Sequence, residues 1–458
     1  MIKIVLGLLS LLFLVSTPVS AATPTVQSVQ AAVDSTWMMI AAILVFFMHA
    51  GFAMVEAGFT RSKNTLNILM KNFLTVAIAS TLYFIIGYGV MFGNSFNGFI
   101  GTDGFLLANV DDVGFFLFQA VFAATCATII SGVVAERMRL QSYLLLTIVM
   151  TGLIYPIIGH WIWGGGWLST LGFVDFAGSS VVHLTGAVAA LTTVFFLGPR
   201  IGKYTNNKVN AIPGHNIPIG ALGVFILWFG WFGFNGGSSL AADPSLVPHV
   251  ITTTLLAASG AIISAAFYTQ LRFNRIDASL TLNGALGGLV GITAGCANVS
   301  FFGSILIGLV AGILLVEAVR VIDVKFKIDD PVGAIAVHGI CGIWGTLAVG
   351  LFDVSNGLFF GGGLSLLFIQ MVGVLSVIVL TALISGGLVF IIWKFRGIRV
   401  SKEEEIAGLD FTEHGSSAYE LRETIFDSKS TSITPFGSDL VERLNGISNS
   451  SSIKKTLN

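Results

Sequence analysis

Two histidines occupy the same place in two copies of one short pattern. Residues 175–183 read DFAGSSVVH and residues 330–338 read DPVGAIAVH, so both fit D-x-x-G-x-x-x-V-H. A neutral imidazole offers one hydrogen-bond donor and one acceptor, and it titrates near physiological pH. Two such rings in contact would suit a proton relay or a binding site for a small polar molecule. The alternative is that both histidines are structural and satisfy each other.

The composition places these histidines in a membrane protein. Of 458 residues, 54% are hydrophobic and only 10% are charged, against about 25% charged residues in soluble domains. The three cysteines lie in apolar runs, which supports neither a disulfide framework nor a cysteine-rich metal site. A formal net charge of −1 gives no electrostatic reason to bind nucleic acid. We therefore predict an all-α polytopic membrane protein.

Apolar runs of about 20 residues recur along the chain with short breaks between them. They predict eleven transmembrane helices, at 34–60, 67–93, 113–135, 141–163, 178–198, 217–237, 247–271, 279–296, 301–323, 331–352 and 364–394. From residue 34 to residue 402, every Lys and Arg lies at or beside an odd-numbered break or in the tail. The even-numbered breaks hold none and carry instead Asp103, Asp111, Asp112, Asp175, Asp243 and Asp353. The positive-inside rule then places the N-terminus outside and the C-terminus in the cytoplasm.

The two histidine patterns open the fifth and tenth predicted spans, so their helices enter the membrane from opposite faces. This predicts an inverted repeat of spans 1–5 and 6–10, with the working site near the midplane. If each aspartate caps its helix at the membrane boundary, eight residues place each imidazole about 12 Å deep in a hydrocarbon core about 30 Å thick. Pro331 suits the first helical position. We expect the two rings to meet.

The chain ends differ from the apolar middle. Residues 1–22 have the charged start, apolar core and small-residue site of a signal peptide. Residues 23–396 form the predicted transmembrane domain, and 397–458 form a polar cytoplasmic tail that is too short for a kinase, cyclase or nucleotide-binding domain. We expect 421–458 to be flexible.

Long motifs follow one another in order from about residue 34 to about residue 420. They include GFAMVEAG at 51–58, FQAVF at 118–122, HWIWGGG at 160–166, GWFGFNGGS at 230–238 and VHG at 337–339. With them, the sequence resembles the ammonium transporter family (Amt/Mep/Rh), of the bacterial Amt type. The tail segments at 408–410 and 413–415 belong to the same likeness, and 421–458 lie beyond it.

The resemblance implies roles for eight side chains. They are an outer recruitment site of Phe118, Trp163 and Ser238 with Asp175 supporting it, a gate of Phe122 and Phe234, and the pore histidines His183 and His338. The resemblance also implies a homotrimer in the bacterial inner (plasma) membrane, active in nitrogen uptake. It further implies a tail that is read by a P-II-type signalling protein.

The chemistry of these residues agrees with that function. Ammonium is close to potassium in charge and size, but ammonium can lose a proton. Ring faces at Phe118 and Trp163 would attract the cation, and the Ser238 hydroxyl could accept a hydrogen bond. Behind a dry phenyl gate, a bare cation costs many kcal/mol and neutral ammonia does not. The prediction is a transporter or channel that recruits NH4+, deprotonates it and conducts NH3, with H+ moving separately; it needs no cofactor or metal and is not an enzyme.

Several alternatives stay open from the sequence alone. The scaffold could serve an ammonium sensor, or a Rh-like channel that passes neutral ammonia without charge. A metalloenzyme built on the histidine pair is disfavoured, since neither H-E-x-x-H nor further clustered ligands accompany the pair. Among structural roles, Asp175 can be a helix cap, Ser238 can bond a helix carbonyl, and His49 and His160 are expected to be structural.

Overall fold

A computed structural model describes residues 25–206 and 208–419, so the predicted signal peptide and residues 421–458 lie outside the described part. The described part is predominantly helical, with ten helices long and apolar enough to cross a membrane. In chain order, with one shorter apolar helix (α8), the helices are α1 (Val26–Phe59), α2 (Ser62–Phe92), α3 (Val113–Val133), α4 (Leu140–Leu171), α5 (Ser179–Leu197), α6 (Ile217–Gly237), α7 (Leu246–Phe273), α8 (Ala278–Thr293), α9 (Phe301–Lys325), α10 (Ile335–Phe352) and α11 (Ser365–Phe395). The multi-pass helical architecture predicted from the sequence is confirmed.

The predicted spans map one to one onto α1–α11, but not all of their bounds agree. α8 has 16 residues, fewer than the about 20 that a membrane crossing requires, so the count of eleven crossings and the orientation stay predictions. α10 begins at Ile335 rather than at residue 331. Pro331 lies in the turn before the helix, because Gly333 takes a left-handed backbone (φ +78°) and delays the helix start. The assignment of Pro331 to the first helical position was wrong.

Small residues let two pairs of helices approach closely. A Cβ atom on Gly58 of α1 would lie 2.4 Å from the backbone nitrogen of Gly220 on α6. A Cβ atom on Gly308 of α9 would lie 2.0 Å from the carbonyl oxygen of Ala257 on α7. Helices in lipid associate through such backbone-to-backbone packing, so any larger residue at these two positions would push its helix pair apart.

The loops add two short antiparallel hairpins and two short tail helices. β1 (Ser95–Phe96) pairs with β2 (Ile100–Gly101), and β3 (Tyr204–Thr205) pairs with β4 (Lys208–Val209). The tail forms α12 (Lys402–Ala407) and α13 (Leu409–His414). Both tail helices dock on the segment after α1.

Hydrogen bonds hold α12 and α13 in that place. The Asp410 carboxylate accepts the backbone N–H of Asn67 at 2.8 Å, and the Asn64 side chain accepts the N–H of Leu409 at 2.9 Å. The Lys63 ammonium donates to two backbone carbonyls at the end of α12, at 2.6 and 2.8 Å.

A buried ion network joins the loops at the same end of the helices. Arg200 binds Asp329 through two nitrogens, each at 2.9 Å, and reaches Glu136 at 2.9 Å with its remaining nitrogen. Arg61 also pairs with Glu136, and Arg137 donates to the Asp329 carbonyl at 2.7 Å. Burial opposes charge on Asp329, but the hydrogen bonds from Arg200 and the charges of Arg137 and Arg200 outweigh it and hold the pKa of that carboxyl at about 2. The network ties together loops that are far apart in sequence.

Candidate functional site

The start of α5 is organised by the Asp175 carboxylate. Its two oxygens accept four consecutive backbone N–H groups, from residue 178 to residue 181, at 2.8 to 2.9 Å. Gly178 provides the left-handed backbone that the turn requires (φ +114°). The first six residues of the helix, Ser179–Leu184, then form a π-helical turn that contains His183. Wide turns of this kind often accompany functional sites in helices.

The start of α10 repeats this construction. The Asp330 carboxylate accepts the N–H groups of Gly333 at 3.0 Å and Ile335 at 2.7 Å. Gly333 again has a positive φ, and the first six residues, Ile335–Ile340, form a π-helical turn that contains His338. The two sequence patterns thus give the same local structure, although each helix proper starts after the aspartate turn.

The imidazoles of His183 and His338 contact each other. Their Nδ1 atoms are 3.2 Å apart, and the ring centroids are 5.2 Å apart with an interplanar angle of 23°. Both rings are buried. Because one Nδ1 must donate while the other accepts, two neutral rings hold opposite tautomers. The Nε2 atom of His183 has no hydrogen-bond partner among residues 25–206 and 208–419, so it is available to a small polar molecule.

A stacked phenyl pair lies next to the histidines. The rings of Phe122 and Phe234 are 4.0 Å apart and nearly parallel, at 20°. Phe234 also stacks on His183 at 5.5 Å, and Trp231 stacks on the same imidazole at 5.0 Å. Phe122, Phe234 and Trp231 are each at most 1% exposed. A molecule that reaches the histidines from this side must displace the phenyl pair.

On the other side of the phenyl pair lies a cavity of about 270 Å³, which we call the outer cavity. Phe118, Trp163 and Ser238 all line it, together with Phe122. The Phe118 and Trp163 rings lie 4.6 and 6.2 Å from the Phe122 ring. The Ser238 hydroxyl donates to the Phe234 carbonyl at 2.9 Å, which leaves its oxygen lone pairs as acceptors. The structure therefore brings the three residues expected to recruit the cation around one space.

Asp175 occupies a different position from those three residues. It is 4% exposed and is not among the residues that line the outer cavity. Its carboxylate is used by the backbone of α5, and its carbonyl oxygen accepts the indole N–H of Trp163 at 2.7 Å. Asp175 thus caps the helix that carries His183 and fixes the ring of Trp163.

The two histidines expected to be structural are bonded to nearby groups. His49 pairs with the Phe46 carbonyl at 3.0 Å. His160 pairs with the Met91 carbonyl at 2.9 Å and with the Ser95 hydroxyl at 2.8 Å. In the described part of the chain, no three His, Cys, Asp or Glu side chains lie close enough together to hold a metal ion.

Sequence reasoning missed several residues of the site. Gln119 lines the outer cavity, Trp231 stacks on His183, and Phe52 lies 6.1 Å from the ring of His338. Glu56 lines a small cavity beside His338. All four residues lie within the motifs on which the family resemblance rests, so their position in a motif was a signal of a role in the site. Residue type and spacing alone did not distinguish them from neighbours that only pack.

A bundle of apolar helices around an enclosed column of phenyl and imidazole rings, open to a cavity on one side, defines a multi-pass membrane protein of the transporter or channel class. Residues 36–419 match the Ammonium Transporter Family, and the chain belongs to that family.

Relatives and solved structures agree with this assignment. The chain is 44% identical to Ammonium transporter Amt2 of Archaeoglobus fulgidus, over 84% of this chain and 88% of that protein. It is 37% identical to Ammonium transporter 3 of Dictyostelium discoideum, over 84% of this chain and 94% of that protein. The solved structure of a Sensor Amt Protein superimposes on this chain with a TM-score of 0.82 at 39% identity. The match spans 85% of this chain and 100% of the Sensor Amt Protein chain.

Proposed function

We propose that this chain transports ammonium across a membrane. NH4+ enters the outer cavity, loses its proton there, and crosses as NH3 through the passage that contains His183 and His338. The observation that carries the proposal is the order of parts: an aromatic cavity, a stacked phenyl pair, and then two buried imidazoles in contact.

The outer cavity suits a small cation. The faces of Phe118 and Trp163 contribute about 0.5–2 kcal/mol of cation–π attraction, and more as water leaves. Ser238 adds one hydrogen-bond acceptor. Potassium would gain from the ring faces as well, so this cavity alone cannot separate the two ions.

Selection occurs at the phenyl pair. Phe122 and Phe234 exclude water, and an unpaired charge in such a passage costs many kcal/mol. Ammonium avoids that cost by leaving its proton behind, which potassium cannot do. The proton follows separately, through the hydrogen bond that joins the two imidazoles, so that net transport moves one positive charge.

Uptake of methylammonium with simultaneous current recording in proteoliposomes tests the proposal. His183→Ala and His338→Ala should each abolish the current. His249→Gln is the matched control, because His249 bonds a loop carbonyl and takes no part in the pore. Uptake without current in the wild type would indicate a Rh-like electroneutral channel instead. An absence of uptake in the wild type would contradict transport altogether.

One observation favours a second function, ammonium sensing. The Sensor Amt Protein covers 85% of this chain at a TM-score of 0.82, so the same scaffold is compatible with a receptor. A sensor would bind ammonium with little flux. The uptake measurement therefore separates the two functions, and we favour transport because the pore elements lie in one continuous column.

We further propose the setting of the protein. The chain forms a homotrimer in a bacterial inner membrane, with residues 1–22 removed as a signal peptide and residues 23–396 forming the transmembrane domain. It acts without enzymatic chemistry. The tail is a docking site for a cytoplasmic P-II-type signalling protein, and the ordered helices α12 and α13 support this by offering a fixed surface. Native mass spectrometry of the purified protein, with and without such a partner, tests both assemblies.

A further inference from the structure

The side of His338 away from the phenyl pair opens on a cavity of about 20 Å³, which we call the inner cavity. Phe52, Glu56, Asn283 and Val337 line it with His338. One water-sized molecule requires about 10–15 Å³ of such space. The inner cavity therefore has room for a single molecule of the size of ammonia, held between an imidazole and a carboxyl group.

The Glu56 carboxyl group is bound on one side only. Its Oε2 atom accepts the Ser131 hydroxyl at 2.7 Å and the Asn72 amide at 3.2 Å. No hydrogen bond from residues 25–206 and 208–419 reaches its Oε1 atom. The residue is 3% exposed. One oxygen is thus fixed by α2 and α3, and the other is available to an occupant of the inner cavity.

Three titratable groups face Glu56 from the packed helices. Lys71 on α2 is 1% exposed and donates to the Ser131 carbonyl at 3.2 Å, so that Ser131 links it to Glu56. Tyr143 on α4 presents its ring 5.7 Å from the Lys71 ammonium. His338 on α10 faces Glu56 across the inner cavity. A buried charge requires an opposite charge nearby, and Lys71 meets that need when Glu56 is ionised.

We propose that Glu56 is the proton-exchange group at the inner end of the pore. The inference rests on the proposed function. Ammonia that has passed His338 lies beside Glu56, and the protonated carboxyl gives its proton to the nitrogen lone pair. An N–H bond forms and the O–H bond breaks, which yields ammonium and a carboxylate. The carboxylate then regains a proton from the histidine pair, which relays the proton released at the outer cavity.

Lys71 has a defined part in this cycle. It stabilises the carboxylate after transfer, and its positive charge weakens the hold of the carboxylate on the new ammonium ion. The product is therefore released rather than trapped. Glu56 could also serve only to neutralise the buried charge of Lys71, which likewise requires an acidic residue. The test must therefore separate proton exchange from charge neutralisation.

The test is a pair of variants in the proteoliposome assay. Glu56→Gln removes the proton but keeps the shape and an acceptor for Ser131; it leaves Lys71 unpaired. Glu56→Gln combined with Lys71→Met removes both charges. If Glu56 exchanges the proton, both variants lose the ammonium current by about a hundredfold or more, the lower end of the range for positioned acid–base groups. If Glu56 only neutralises Lys71, the double variant regains the wild-type current.

Three outcomes contradict particular statements. A wild-type current in the double variant overturns the role of Glu56. An absence of uptake by the wild type overturns the proposed transport function instead. Measuring wild type and variants side by side therefore shows whether the transport function or the role of Glu56 has failed. Should the Gln variants not assemble, Glu56→Asp decides, because it keeps the charge but draws the carboxyl back from the cavity. We expect it to lower the current and to change its dependence on inner pH, and an unchanged current would reject the proposal.

Discussion

The two cavities that flank the ring column differ in size and in chemistry. The outer cavity has about 270 Å³ and is lined by aromatic, aliphatic and neutral polar side chains. The inner cavity has about 20 Å³ and contains a carboxyl group. Ring faces attract a hydrated cation without binding it tightly, whereas a carboxyl group can give up or take a proton. The difference suggests that the pore receives a charged species on one side and restores the charge on the other.

The largest effect is expected from a substitution beside the outer cavity. Asp175→Ala leaves four buried N–H groups without an acceptor and removes the cap of α5. We expect a loss of about 3–5 kcal/mol in the free energy of unfolding, together with loss of uptake. Thermal unfolding in detergent measures the first quantity. Asp243→Ala is the control, because Asp243 accepts only two backbone N–H groups, those of Ser245 and Leu246, at the exposed start of α7, so its loss should change the free energy of unfolding much less.

The second prediction concerns the end that carries the inner cavity, where charges hold the loops. The folded pKa of Asp329 is about 2, below the ordinary value of 3.8, so its ion pairs stabilise the fold above pH 3.8. That contribution, about 2 kcal/mol, should be lost as the pH falls from about 4 toward 2. Unfolding experiments across this range measure it. In Asp329→Asn this part of the acid dependence should vanish; if it persists, another group is responsible.

The third prediction sharpens the chemistry of the outer cavity. Trp163→Leu removes a ring face and should weaken methylammonium affinity by about 1–2 kcal/mol, which is roughly five- to thirtyfold. The maximal rate should change less, because the phenyl pair and the histidines stay in place. Concentration-dependent uptake separates these quantities. Trp161→Leu serves as the control, since Trp161 does not line this cavity; an equal effect from both would show that the ring face is not what matters.

The smallest effect is expected at Ser238. Ser238→Ala removes one acceptor, with a cost of about 0.5–1.5 kcal/mol, or a change of about two- to twelvefold in apparent affinity. Ser239→Ala, at a neighbouring residue that does not line the cavity, should leave affinity unchanged. An unaltered affinity in Ser238→Ala would mean that the hydroxyl only bonds the Phe234 carbonyl.

Much of the site could be predicted because its two halves repeat in the sequence. The pattern that ends in His183 and His338 predicted the contact between the rings, since equal spacing from opposite faces brings two side chains to one level. The spans were also predictable, because lipid demands long apolar helices. The family likeness supplied the aromatic residues, whose grouping around one cavity no periodicity indicates.

Other features depend on contacts that spacing does not encode. The π-helical turns follow the turns that Asp175 and Asp330 hold with their carboxylates, and the delayed start at Ile335 follows the left-handed backbone of Gly333. Glu56 lies in an apolar run, but its partners Lys71 and Ser131 come from two other helices. Which polar residues from distant helices come into contact cannot be read from their positions in the sequence. Because a lone buried charge is costly, one can infer only that Glu56 has some partner.

The hydrogen bond between the two imidazoles records the direction in which a proton last passed, through the position of the shared hydrogen. Because the Nδ1 atoms share one hydrogen, the pair has two tautomeric arrangements, with that hydrogen on His183 or on His338. A proton that hops through the pair in one direction converts the first arrangement into the second. Under the proposed proton route, the pair must then return to the first arrangement before it can pass another proton the same way, and this reset step would set an upper limit on the frequency of successive crossings.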